Sequence, residues 1–252
     1  MNIDAIPDIP LVSPGDNLAS VIIDGMDKAG VGVVSGDILV IAQKIVSKAE
    51  DRYVDLSMIS PSSQARQLAE QVDKDPRLVD LILSESEQIV GQRPGVLIVA
   101  HRLGYVLANA GIDASNLEPD TKGEERVLLL PKDSNASCAR LRASLEGHFN
   151  ETIGVIISDS IGRAWRNGSL GTALGSAGVP ALWDRIGEED IFGRTLQITQ
   201  VGYADQVAAA AALVMGEGAE GLPVVKVSGL EWEPVTADAT QLLRPKDQDI
   251  FR

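Results

Sequence analysis

The chain has 252 residues, enough for one large domain or two modest ones with an ample core. Hydrophobic residues at 44% and charged residues at 23% fit a soluble globular protein, and aromatics at only 4% leave the core to Val, Ile, Leu and Ala. A formal net charge of -14 argues against sequence-independent nucleic-acid binding, which needs a basic surface, but not against a nucleotide whose charge a divalent cation offsets.

Cys138 is the only cysteine, so an intrachain disulfide and a thiolate metal cluster are excluded. Met1-Asn2-Ile3-Asp4 is acidic rather than basic, so no signal peptide is expected. The most apolar stretch, residues 207–215, is far shorter than the roughly 20 residues of a membrane span. The expectation is a cytoplasmic protein with neither membrane nor nucleic-acid partners.

Along the chain, Pro7, Pro10 and Pro14 disfavour a helix at the start. Asn17 is placed to cap a helix with Leu18, Val21, Ile22 and Met26 at helical spacing, closed by Gly30 and Gly32. Ile38-Leu39-Val40-Ile41-Ala42 reads as a strand buried on both faces. It runs into Gln43, Lys44 and Lys48, at the kind of strand end where α/β sheets hold ligands, although lysines are more often simply solvated.

Residues 62–72 and 76–90 read as two helices, the second started by Asp75 and Pro76, with Glu85 and Glu87 on its solvated side. Residues 96–100 and 127–130 read as strands. Between them, Asp113 and Asn116 present oxygens that suit either a ligand or an ordinary Asx-type loop. The helix after Pro131 places Cys138, Leu141 and Leu145 inward, making Cys138 a core residue rather than a nucleophile.

Residues 155–166, Val-Ile-Ile-Ser-Asp-Ser-Ile-Gly-Arg-Ala-Trp-Arg, read as a buried strand ending in Asp159 and Ser160, with Arg163 and Arg166 just beyond. An acid and a hydroxyl at a strand end followed by guanidinium groups suit metal-bound phosphate chemistry, yet a plain turn has the same composition. The glycine-rich segment 167–178 either lets backbone approach a ligand or packs tightly between layers. No phosphate-binding Gly-x-x-x-x-Gly-Lys loop occurs. A long alanine-rich helix over 204–215 ends at Gly216, and Glu217 then meets the negative helix end, a conflict that a bound cation would relieve. Residues 223–227 form a last strand. Helices and strands mix without strict alternation, which predicts an α+β fold; residues 118–126 are the best candidate for an internal subdivision of a single ligand-binding unit.

Four blocks then combine. They are residues 36–50 with Lys44 and Lys48, residues 108–116 with Asp113, residues 157–163 with Asp159, Ser160 and Arg163, and residues 214–225 with Glu217. In this order they resemble the coenzyme F420-0:γ-glutamyl ligase family, from Ile9 to about Leu230. The resemblance implies a stand-alone, GTP-dependent ligase that adds L-glutamate to the lactyl carboxylate of F420-0 and then a second glutamate through a γ-linkage. It implies an intertwined homodimer of α+β subunits with mixed and antiparallel sheets and two subdomains. It implies two Mg²⁺ or Mn²⁺ ions per subunit, one held by Asp113 and Asp159 and one by Ser160 and Glu217, with K⁺ as a further candidate ion. GTP is implied to meet Ile9, Pro10, Leu11, Val12, Gln43, Lys44, Lys48, Asn116, Met215, Gly216, Gly218, Ala219, Glu220, Gly221 and Leu222.

In that chemistry GTP phosphorylates a carboxylate, and Lys44 and Lys48 stabilise the phosphoryl oxygens during transfer. Arg163, Arg166 and Arg194 are our assignment as clamps for the anionic acceptor, against the alternative of structural ion pairs. Ser160 stands where the family mostly has Thr. Residues 167–175, Asn-Gly-Ser-Leu-Gly-Thr-Ala-Leu-Gly, depart from the family's more frequent Asn-Gly-Gln-x-x-x-Ala-Ile-Gly, a departure that bears on the acceptor.

Overall fold

A computed structural model describes residues 1–117 and 125–249. In chain order its elements are β1 (Asn2–Ala5), α1 (Leu18–Ala29), β2 (Ile38–Ala42), α2 (Gln43–Ala49), β3 (Tyr53–Asp55), α3 (Ser63–Val72) and α4 (Pro76–Ser84). There follow β4 (Ser86–Arg93), β5 (Val96–His101), β6 (Val106–Ala108), β7 (Arg126–Leu128), α5 (Ser134–Phe149), β8 (Gly154–Gly162) and β9 (Ser169–Ala177). The chain closes with β10 (Leu182–Asp184), β11 (Gln200–Gly202), α6 (Tyr203–Met215) and β12 (Val224–Ser228).

The expected α+β mixture is what the chain adopts. A five-stranded sheet runs in the order β1-β12-β2-β8-β9, with β2 and β8 parallel and every other pairing antiparallel. Its strands bury both faces, so β2 is apolar at Ile38, Leu39, Val40 and Ile41 without alternation. On one face Leu39, Ile41, Val155 and Ile157 pack with α1 and α5; on the other Ile38, Val40, Ile156 and Val225 pack with α6. A separate cluster, including Leu68, Val72, Val79, Ile82, Leu97 and Val99, joins α3 and α4 to the three-stranded sheet β4-β5-β6.

Local signals account for the helix boundaries. Asn17 accepts from Ser20 N to start α1, and Gly30 ends it at φ 65. Ser62 caps α3, and Asp75 with Pro76 starts α4. Cys138, Leu141 and Leu145 face inward on α5, and burial pushes the Cys138 thiol up, away from the thiolate form.

Two expectations need correction. The helix predicted over 76–90 stops at Ser84, and Ser86–Arg93 is instead a strand paired with β5 across a turn containing Pro94 and Gly95, the latter at φ 80. β-branched Ile89 and Val90 suit that strand, and long-range pairing outweighs the helical reading. Glu85 is consequently not solvated: it is 6% exposed and accepts from Arg52 and Arg102. Glu87 is exposed as expected and pairs with Lys246. The candidate subdivision at 118–126 falls mostly outside the described residues. Among the described residues, no helix is long and apolar enough to cross a membrane.

Candidate functional site

The site is built where the parallel pairing of β2 with β8 ends. Ala42 lies opposite Ser158, and α2 begins at Gln43 with no intervening loop. Positions 44 and 48 are one turn apart, so both lysines rise on one side of α2, over the carboxyl ends of the strands. Beyond Ser158, β8 continues with β9 alone as its partner. Side chains alternate along a strand, so Asp159 shares the face of Ile157 and Ser160 the face of Ile156. Asp159 thereby turns toward Lys44 and Asp113, while Ser160 reaches the end of α6, where its hydroxyl donates to Glu217 Oε1 at 2.7 Å.

Asp113 arrives on a tightly coiled backbone. Asn109, Ala110 and Gly111 in succession have φ 52, 54 and 70, and a Cβ on Gly111 would fall 2.8 Å from Leu130. Three left-handed residues in a row are costly, and such strain is tolerated where the surroundings hold it. Here reciprocal backbone hydrogen bonds between Asp113 and Leu128 do so. The Asp113 carboxylate receives Lys44 Nζ at 2.7 Å and the Ser115 backbone N–H at 2.6 Å. Lys44 also donates to Ser115 Oγ, and Lys48 donates to the Asn116 carbonyl at 2.9 Å. Asn116 in turn sits 3.4 Å from the Gly218 carbonyl, so the segments after β6 and α6 meet α2 at one place.

The charges in this cleft are not evenly matched. Burial raises the Asp159 carboxyl to about 6, with the nearby charges of Asp113 and Glu217 adding to the rise and Lys44 opposing it. Burial also works against the charge on Asp113, but the hydrogen bonds from Lys44 and Ser115 outweigh it and hold that carboxyl below its ordinary value. One acid is therefore internally neutralised, and a second stands beside it short of positive charge. Carboxylate and hydroxyl oxygens are the hard donors that Mg²⁺ and Mn²⁺ accept. Among the described residues, no three His, Cys, Asp or Glu side chains are grouped closely enough to hold a metal ion by themselves.

These groups line one cavity of about 730 Å³. It takes in every nucleotide-contact residue expected above, Ile9 through Val12, Gln43, Lys44, Lys48, Asn116 and the loop from Met215 through Leu222, together with Asp113, Asp159, Ser160 and Glu217. Arg163 does not line it: that side chain is exposed and donates to the Gly168 carbonyl at 3.2 Å. Arg166 and Arg194 are exposed and outside the lining as well. Ser115 and Ser158 line the cavity but were not anticipated. The pattern Asp113-Ala114-Ser115, an acid accepting from the N–H two residues on, was a usable signal for the first. Ser169 and Gly171 of the departing segment also reach the lining.

The fold and cavity together define a class: an α+β protein with an acidic, lysine-flanked cleft of nucleotide size at the carboxyl ends of a single parallel strand pair. Comparison with known proteins is more specific. The family model described as F420-0:Gamma-glutamyl ligase matches residues 7–229. A protein of Methanothermobacter thermautotrophicus named coenzyme F420:L-glutamate ligase is 42% identical over 246 residues, covering 97% of this chain and 96% of its own. Identically named proteins of Methanopyrus kandleri and Methanocaldococcus jannaschii are each 41% identical, covering 100% and 87% of this chain and 98% and 86% of their own. The chain belongs to the F420-0:γ-glutamyl ligase family.

Proposed function

We propose that this protein is a GTP-dependent coenzyme F420:L-glutamate ligase. It joins L-glutamate to the lactyl carboxylate of F420-0 and then adds a second, γ-linked glutamate. The family and the names of its relatives support the ligase reaction and its two organic substrates. The observation that carries the nucleotide and cation part is the cavity itself, where Lys44 and Lys48 face Asp113, Asp159 and Glu217.

A carboxylate resists attack by an amine, so it must first be activated. In this reading a lactyl carboxylate oxygen attacks the γ-phosphorus of GTP, the bond to the β-phosphate oxygen breaks, and GDP leaves. The glutamate amine then attacks the acyl-phosphate carbon, inorganic phosphate departs, and the amine proton is lost as the amide forms. Lys48, buried at the cleft wall, and Lys44 hold the phosphate oxygens whose charge shifts during transfer. Asp113 and Asp159 would hold one divalent cation, and Ser160 and Glu217 the other. Such ions supply charge neutralisation and alignment of the triphosphate. Asp159, short of positive charge in the protein alone, is the ligand most in need of one. The active species in this reading is a homodimer.

The test is direct. Purified protein with F420-0, GTP, Mn²⁺ and L-glutamate is expected to release GDP and give a product heavier by one or two glutamyl units in mass spectrometry. Asp159→Asn is expected to lower turnover by about 10³-fold while the protein stays folded. GDP release only with another carboxylate acceptor would replace F420-0 in the reading. Full activity of the Asn variant would remove Asp159 from the cation site.

A further inference from the structure

Strand β9 carries an irregularity directly beneath the two proposed cation ligands on β8. Ile157 pairs with Gly175 but Ser158 pairs with Ala173, so Leu174 is an extra residue, a β-bulge one step before Asp159. Packing reports the same event independently. Gly171 and Gly175 are four apart and would share a face in a regular strand. Instead a Cβ on Gly171 would fall 2.5 Å from the Ala208 carbonyl oxygen of α6, and one on Gly175 would fall 2.5 Å from the Ser134 backbone of α5. The bulge reverses the strand's facing between them, and both layers then close tightly on β9.

A bulge leaves backbone groups without ladder partners, and buried backbone groups need them. Two side chains from elsewhere supply them. Asp205, in the first turn of α6, accepts from the Ala173 N–H at 2.9 Å. The Tyr105 hydroxyl, from the turn between β5 and β6, donates to the Leu174 carbonyl. The Leu174 side chain itself is fully buried against Leu107 and Leu130, which flank the chain segment bearing Asp113. The bulge therefore connects the segments bearing Asp113 and Asp159.

We propose that Asp205 and Tyr105 are positioning residues for the ligase site, holding the bulge in β9 and through it the aim of Asp159 and Ser160 into the cleft. This rests on the reading of those two residues as cation ligands. The competing role for Asp205 is to complement the positive end of α6, which depends on its charge. The bulge needs only an acceptor oxygen, which Asn retains.

The test uses the full chain with Mn²⁺ alone as probe, titrated by electron paramagnetic resonance, together with amide exchange at Asp159 and Ser160. Asp205→Ala is expected to weaken Mn²⁺ binding about tenfold or more, the range for outer-shell partners of metal ligands, and to accelerate exchange at both amides. Asp205→Asn is expected to stay within roughly twofold of the wild type in both readouts, because the acceptor survives. Tyr105→Phe is expected to weaken binding by a smaller factor, and it carries the test should the Ala variant fail to fold. Wild-type Mn²⁺ affinity and exchange in both Asp205→Ala and Tyr105→Phe would overturn the proposal, as would an Asn variant as impaired as the Ala variant. A wild-type protein that binds no Mn²⁺ would overturn the cation reading instead, and exchange at Asp159 and Ser160 would still decide the role of the bulge.

Discussion

Two regions of this molecule bring acids and bases together, and they are arranged in opposite ways. Beneath the turn after β5, Glu85 meets two cations, Arg102 at 2.9 Å and Arg52 at 3.4 Å, with the His101 ring at 3.6 Å. Positive charge is in excess there, and burial with the two arginines lowers His101 to about 4, so its imidazole stays neutral. Its Nδ1 accepts from the Leu103 N–H at 2.9 Å, which leaves the proton on Nε2, facing the carboxylate. In the cleft the imbalance is reversed: burial, with the charges of Asp113 and Glu217 adding to it, raises Asp159 to about 6. The Glu85 carboxylate needs no further positive charge, since Arg52 and Arg102 already donate to it. In the proposed reading added positive charge completes the cleft, and perturbed acids in a cavity mark a functional site more often than a structural one.

The largest effect expected on stability lies in the satisfied region. Glu85→Ala leaves Arg52 with no acid beneath it and is expected to cost about 3 kcal/mol, since breaking a buried pair strands the remaining charge. Urea unfolding reads it. A loss below about 1 kcal/mol, the value of a surface pair, would break the contrast between the two regions.

A smaller, pH-dependent effect sharpens it. Folding favours the neutral form of Asp159, so its contribution to stability is full below pH 3.8 and is lost as pH rises through about 6. Folding favours the neutral form of His101 too, but here the contribution is full above pH 6.5 and is lost as pH falls through about 4. The two slopes oppose each other across the same range. In chelator, Asp159→Asn is expected to raise stability by about 1–3 kcal/mol at pH 7 and to expose a profile that climbs steadily from pH 4 to pH 6.5. His101→Asn is expected to flatten that climb. Parallel profiles for wild type and both variants would mean that neither group feels its surroundings as described.

Much of this was legible in the chain. Asn17, Ser62 and the Asp75-Pro76 pair marked helix starts because capping is local chemistry. The unbroken apolar run at Ile38–Ala42 marked a central strand because nothing polar fits between two packed layers. Lys44, Lys48, Asp159 and Ser160 were visible as strand-end polarity, Asp113 as a loop oxygen and Glu217 as an acid at a negative helix end, and the resemblance to a family joined them. What could not be read depends on partners far along the chain. Helix α4 ends at Ser84 because the next residues pair with β5, and Glu85 is buried because Arg52 and Arg102 close over it. The bulge at Leu174 leaves no local mark, since it exists only relative to β8. Arg163, close in sequence to Asp159, lies outside the cavity lining and donates to the Gly168 carbonyl, a placement that follows from the path of the strand and has no sequence mark.

The central claim is that the unbalanced acids of the cleft are reserved for divalent cations beside a nucleotide. Anomalous diffraction at the manganese edge, from crystals grown with Mn²⁺ and GDP, tests it most directly. Peaks are expected in the cleft, one between Asp113 and Asp159 and one beside Ser160 and Glu217. A cleft holding the nucleotide with no manganese against these residues would contradict it.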